Sequence, residues 1–96
     1  MARIIWTEPA LHELEAIADH IGLDKPQAAR LLVQKVFKKV DRLVRFPRLG
    51  AVPSELKGLP YRQLVIPPCR IFYKIGHGKI FIVSILRGER KLPIPF

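Results

Sequence analysis

The sequence predicts an α+β fold of order β-α-α-β-β-β, in which a helical hairpin packs on one face of a small, mainly antiparallel sheet. Three observations carry that expectation. Apolar residues recur at helical spacing through two segments between Thr7 and Phe46, then adopt the two-residue period of strands from Tyr61 onward. Glycines and prolines punctuate the joints, at Gly22, Pro47, Gly50, the pair Pro67 and Pro68, and Gly76 with Gly78. The length of 96 residues leaves one usable interior, so 1–96 is expected to form a single domain of two packed layers.

Each element follows from its residues. The apolar stretch from Arg3 to Trp6 suits a strand at the edge or centre of the sheet. Thr7 offers a hydroxyl to cap a first helix, and Pro9 is tolerated in its first turn. Ala10, Leu11, Leu14, Ile17, Ala18 and Ile21 form its apolar stripe, Gly22 is the expected stop, and its other face is acidic. Asp24 is the expected cap of a second helix, with Pro26 in the first turn and Gln27 three residues on. That helix has the strongest periodicity in the chain. Ala29, Leu32, Val33, Val36, Phe37, Val40, Leu43 and Val44 share one stripe, while Arg30, Lys35, Lys38, Lys39, Arg42 and Arg45 take the rest. It ends near Phe46, because a proline disfavours helical geometry in the residue before it.

Arg48 to Pro60 is the one sizeable loop. Tyr61 to Ile66 alternates as a strand until Pro67 and Pro68 remove two backbone donors. Cys69, Ile71, Tyr73 and Ile75 then share one face of the next strand, with Arg70, Phe72 and Lys74 on the other. Gly76, His77 and Gly78 supply a turn. The last strand, Ile80 to Leu86, is apolar on both faces apart from Ser84, which places it centrally in the sheet.

Composition narrows the function. No apolar run approaches the roughly 20 residues needed to span a bilayer, so no membrane partner is expected. The chain from Met1 to Trp6 leads straight into a polar helix start without a leader pattern, which implies a cytoplasmic location. One cysteine, Cys69, excludes an intramolecular disulfide and a cysteine-based zinc site. No cluster of His, Asp or Glu has ligand spacing, so no metal or cofactor is expected. The formal charge of +9 is uneven: Lys25 to Arg48 carries eight basic residues against Asp41 alone. Such a surface favours nucleic acid, ribosomes or an acidic protein, although a merely solvated helix face fits it equally.

The order of elements, with the residues that carry it, resembles the RelE/ParE superfamily of toxins from bacterial type II toxin–antitoxin pairs. The match runs nearly end to end. It includes Trp6-Thr7-Glu8-Pro9-Ala10, Phe46-Pro47-Arg48-Leu49-Gly50, Pro53-Ser54-Glu55-Leu56, Tyr61-Arg62, Arg70-Ile71-Phe72-Tyr73 and Ile85-Leu86-Arg87-Gly88-Glu89-Arg90. The resemblance implies a plasmid-stabilising toxin that arrests growth until a cognate antitoxin neutralises it, as a hetero-oligomer with that antitoxin and with a homodimer as a further possibility. Two activities divide the superfamily. The RelE-like branch is a ribosome-dependent endoribonuclease of messenger RNA, and the ParE-like branch poisons DNA gyrase.

The residues favour the second. Cleavage by a 2′-hydroxyl needs a proton acceptor, a proton donor and cations for the developing charge. Arg70 and Arg90 fall where the nuclease branch carries phosphate-contacting arginines. Its C-terminal tyrosine, however, is replaced here by Phe96, which cannot donate a proton. Glu55, Glu89 and His77 are the substitutes available, and Glu55 and Glu89 equally suit ion pairs with arginine. Tyr61 and Tyr73 are read as core-facing, with hydroxyls at the rim. A gyrase poison needs only a binding surface, for which Arg62, Arg70, Arg87, Arg90 and Lys91 are the candidates. Arg62, Arg70 and Arg90 can instead close the loop over the sheet by pairing with Glu55 and Glu89. The antitoxin is expected along the basic second helix, at Arg30, Lys38 and Arg45. A degenerate, non-toxic binding domain is the remaining alternative.

Overall fold

A computed structural model describes residues 2–88. The elements are β1 (Arg3–Trp6), α1 (Glu8–Gly22), α2 (Pro26–Asp41), β2 (Tyr61–Ile66), β3 (Cys69–Gly76) and β4 (Lys79–Arg87), with 3-10 turns at Arg42–Val44 and Ser54–Leu56. The sheet runs β1-β4-β3-β2. β1 is parallel to β4, and the other two pairings are antiparallel hairpins. The expected order and layers are therefore observed, with β1 at an edge and β4 inside.

Local chemistry accounts for the joints. Thr7 ends β1 by giving both its backbone N–H (3.2 Å) and its hydroxyl (2.7 Å) to the carbonyl of Ile82, while that hydroxyl accepts the Ala10 N–H at the start of α1. Pro67 and Pro68 form the two-residue link between β2 and β3, since Ile66 pairs with Cys69. His77 and Gly78 form the other link, both at positive φ, as a two-residue hairpin turn requires.

Three expectations about the helices need correction: Leu11, placed in the apolar stripe of α1, is 41% exposed. Asp24 does not cap α2: the cap position belongs to Lys25, which makes no side-chain capping bond. Pro26 occupies the first turn, and its fixed φ pins the helix start one residue later than the aspartate needs. Phe37 is 39% exposed rather than in the core stripe; it sits at the margin, tilted against Trp6 at 4.8 Å between ring centres.

The core lies between the hairpin and one sheet face. Leu14 of α1 and Leu32, Val36 and Val40 of α2 pack on Leu64, Ile71, Ile80, Ile82 and Ile85. Burying such aliphatic side chains stabilises by about 1.5–3 kcal/mol each. A second, smaller cluster occupies the opposite face, where Leu56 covers Phe72, with Tyr61, Val83 and Leu86 around them. Tyr61 thus lies across the sheet from Tyr73 rather than beside it in the main core.

α1 contributes one polar reach into the sheet. Past Ile82, β4 has no β1 residue beside it. Glu13 fills that edge, accepting the Ile85 N–H at 3.1 Å and the Ser84 hydroxyl at 3.1 and 3.2 Å. A residue read as part of an acidic outer face is thereby an acceptor for an otherwise open strand edge. Among the described residues, no helix is long and apolar enough to cross a membrane.

Candidate functional site

The loop after α2 is a strap that wraps the β2 edge from one sheet face to the other. It is fastened at three levels. On the helix face, the buried Tyr73 hydroxyl donates to the Pro47 carbonyl at 2.7 Å and accepts the Gly50 N–H at 2.8 Å. At the edge, Ala51 and Gln63 exchange backbone hydrogen bonds of 3.0 and 2.8 Å. On the far face, Leu56 seats on Phe72 while Glu55 meets Arg70. Gly50 has to be glycine, because a Cβ there would stand 2.5 Å from the Gln63 carbonyl oxygen and 2.7 Å from the Tyr73 ring.

Arg70 is thoroughly engaged. Its Nη2 donates to both Glu55 carboxylate oxygens, at 2.9 and 2.7 Å, its Nε donates to Gln63 Oε1 at 2.9 Å, and its guanidinium lies 4.9 Å from the Phe72 ring centre. The Arg70 hydrogen bond, helped by a backbone N–H, holds the Glu55 carboxyl below its ordinary range, so at neutral pH it is a carboxylate with little tendency to take a proton. Burial pushes the Tyr73 hydroxyl up, against smaller opposing effects of the Gly50 N–H and Arg62, so it stays protonated and acts as a structural tie.

Arg62 behaves differently. Its Nη1 donates to the Gly50 carbonyl at 2.7 Å and reaches the Arg48 carbonyl at 3.5 Å, so it fixes the strap without meeting a carboxylate among the described residues. It also opens onto a groove of about 1070 Å³ between the strap, the end of α2 and the sheet margin. Phe46, Leu49, Val52, Leu59 and Ile75 supply its apolar surface, each between 36% and 57% exposed. Arg42, Arg48 and Arg62 supply its charge, and no Asp or Glu is among the described residues lining it. This groove escaped the sequence reading. The only signal was the run of apolar residues in a loop where polar ones are usual.

The remaining candidates are scattered. Directly opposed residues in an antiparallel pair share a face, so Arg87, opposite Cys69, lies on the helix side beside Ile17 and His20, whereas Arg70 is on the far face. His77 is exposed at the β3–β4 turn, roughly 23 Å along the strand from Arg70. Arg30, Lys38 and Arg45 are exposed on or just beyond α2. Beside them, Lys35, Lys38, Lys39 and Arg42 gather at the β2 edge, where the Lys39 ammonium donates to the Val65 carbonyl at 3.2 Å. Glu89, Arg90, Lys91 and the tail through Phe96 lie outside the described residues. Among the described residues, no group of three His, Cys, Asp or Glu side chains could hold a metal ion.

Comparison with known proteins is consistent across three kinds of relative. Residues 4–92 match the family model described as the ParE toxin of the type II toxin–antitoxin system parDE. The chain is 35% identical over 91 residues to Toxin RelE2 of Caulobacter vibrioides, covering 94% of this chain and 99% of that protein. It is 32% identical over 93 residues to Putative toxin Y4kP of Sinorhizobium fredii, covering 95% and 93%. Among solved structures, a chain of the chromosomal ParDE toxin–antitoxin system from P. aeruginosa superposes with a TM-score of 0.79 at 30% identity, covering 93% of this chain and 98% of that one.

Proposed function

Because the chain belongs to the ParE toxin family of type II toxin–antitoxin systems, we propose that it arrests growth by poisoning DNA gyrase and is neutralised by a cognate antitoxin. The state of Glu55 is the observation that carries the choice of target. A nuclease needs a group poised to accept a proton near its phosphate-binding arginine. Both oxygens of the carboxylate that meets Arg70 are bonded by its Nη2, which lowers their basicity, and His77 stands at the distant turn. A poison that binds gyrase and holds its cleaved-DNA state needs no such group. Ribosome-dependent cleavage of messenger RNA is the alternative that the Caulobacter relative's name brings forward.

The antitoxin is assigned to the basic face of α2, through Arg30, Lys38 and Arg45, where an acidic segment finds a run of exposed cations. Replacing those three by glutamate should weaken the complex more at low than at high salt; an effect independent of salt would remove charge from that contact.

The target is tested by inducing this chain alone in bacterial cells and pulse-labelling DNA and protein synthesis in the first minutes. Early loss of DNA synthesis, with cleaved DNA trapped on purified gyrase, is expected. Early loss of protein synthesis with DNA synthesis intact would refute the gyrase reading and make Glu55, His77 and Glu89 the next positions to change.

A further inference from the structure

We propose that the strap groove is the surface with which this toxin holds its arrest target, and that the occupant is an acidic segment of that target bearing apolar anchors. The inference rests on the reading that the chain acts on a protein target, and it deepens that reading by naming the place.

The candidate target residues separate once their partners are known. Arg70 is spent on Glu55, Gln63 and Phe72, and Arg87 faces α1. Of the described candidates, Arg62 stands at the broader apolar surface open to solvent, whereas Arg87 lines a smaller hollow beside α1 that also carries the Glu13 carboxylate. Tight protein contacts depend on a few apolar or aromatic anchors seated in a preformed pocket and ringed by polar groups. The groove has that form: Phe46, Val52 and Leu59 are about half exposed, and three arginines surround them. Charge decides the chemistry of the occupant. With three cations and no carboxylate among the described residues lining it, the groove repels a second copy of this +9 chain and favours acidic side chains. Its mainly apolar floor favours protein over a nucleic-acid backbone, which needs cations rather than exposed aliphatic side chains.

The groove is also ready-made. The Tyr73, Arg62 and Gly50 hydrogen bonds fix the strap before any partner arrives, which lowers the ordering cost of binding. Arg42 belongs both to this groove and to the cationic cluster at the β2 edge. An antitoxin lying on α2 therefore abuts the groove, and occupancy of one surface crowds the other, a direct route to neutralisation.

The test places a negative charge in the groove. Leu59→Glu and Val52→Glu alter exposed side chains, and Arg48→Glu reverses a rim charge; Lys25→Glu, at the hairpin tip, is the matched control. Thermal melting verifies that each variant folds. The three groove variants should each bind purified gyrase roughly tenfold or more weakly than the parent and lose growth arrest, while the control keeps both. Folded groove variants that still arrest growth would overturn the proposal. So would variants that keep arrest but lose only the antitoxin, since the groove would then belong to the antitoxin. If the parent instead stops protein synthesis, the gyrase reading fails on that result alone. The groove is then judged by whether the same variants restore protein synthesis (support) or leave it blocked (refutation).

Discussion

The two faces of the sheet are built on different principles. The helix-covered face is a continuous aliphatic surface in which Ile71, Ile80 and Ile82 are fully buried. Among the described residues, the opposite face has one buried aromatic, Phe72, capped by Leu56 and flanked by the Arg70–Glu55 pair. The first face is closed by two long helices, the second by a three-residue turn carried on a strap. Stability should therefore reside on the first face, while the strap that serves the second is free to shape a binding surface.

The sharpest way to break that comparison is to cut equally into both faces. Ile82→Ala leaves a cavity beneath both helices and should cost about 3–5 kcal/mol, measured by urea unfolding. Leu56→Ala, beneath a short turn that can collapse, should cost about 2 kcal/mol. Equal losses would show that the strap is as integral to folding as the helices.

Tyr73→Phe addresses the link between them, since Tyr73 is rooted in the helix face and its hydroxyl ties the strap. The change strands the Gly50 N–H and the Pro47 carbonyl and should cost about 1–3 kcal/mol. If the groove depends on this tie, hydrogen exchange should accelerate at 47–51 and hardly change in α1. Uniform acceleration would mean that the hydroxyl serves the whole domain.

The element order was legible because each segment keeps one period, and the expected faces of β3 are those observed. Boundaries were less so: the proline at 26, not the aspartate at 24, sets the start of α2. The Arg70–Glu55 pair could be entertained from charge alone. The groove could not, because Phe46, Leu49, Val52 and Leu59 follow no period and meet Ile75 only once the strap has wrapped the sheet edge. Glu13 was hidden for a similar reason, since its partner exists only where β1 stops short of Ile85.

The smallest expected effect isolates the polar tie of the second face. Glu55→Gln keeps the size of the side chain and removes its charge. Both partners are partly open to water, with side-chain exposures of 16% and 34%, so screening limits the loss to on the order of 1 kcal/mol or less. The pH dependence identifies the source. The Glu55 carboxyl is lowered in the folded state, so its contribution is complete above the ordinary value of 4.5 and is lost as pH falls below it through the folded-state value. The parent should thus lose stability relative to Glu55→Gln only on the acid side of 4.5, the two curves running parallel at higher pH. A gap that persists unchanged in acid would assign the difference to packing of the 3-10 turn. A gap that closes there would make the second face the acid-sensitive one, held by a charge where the first is held by aliphatic contact.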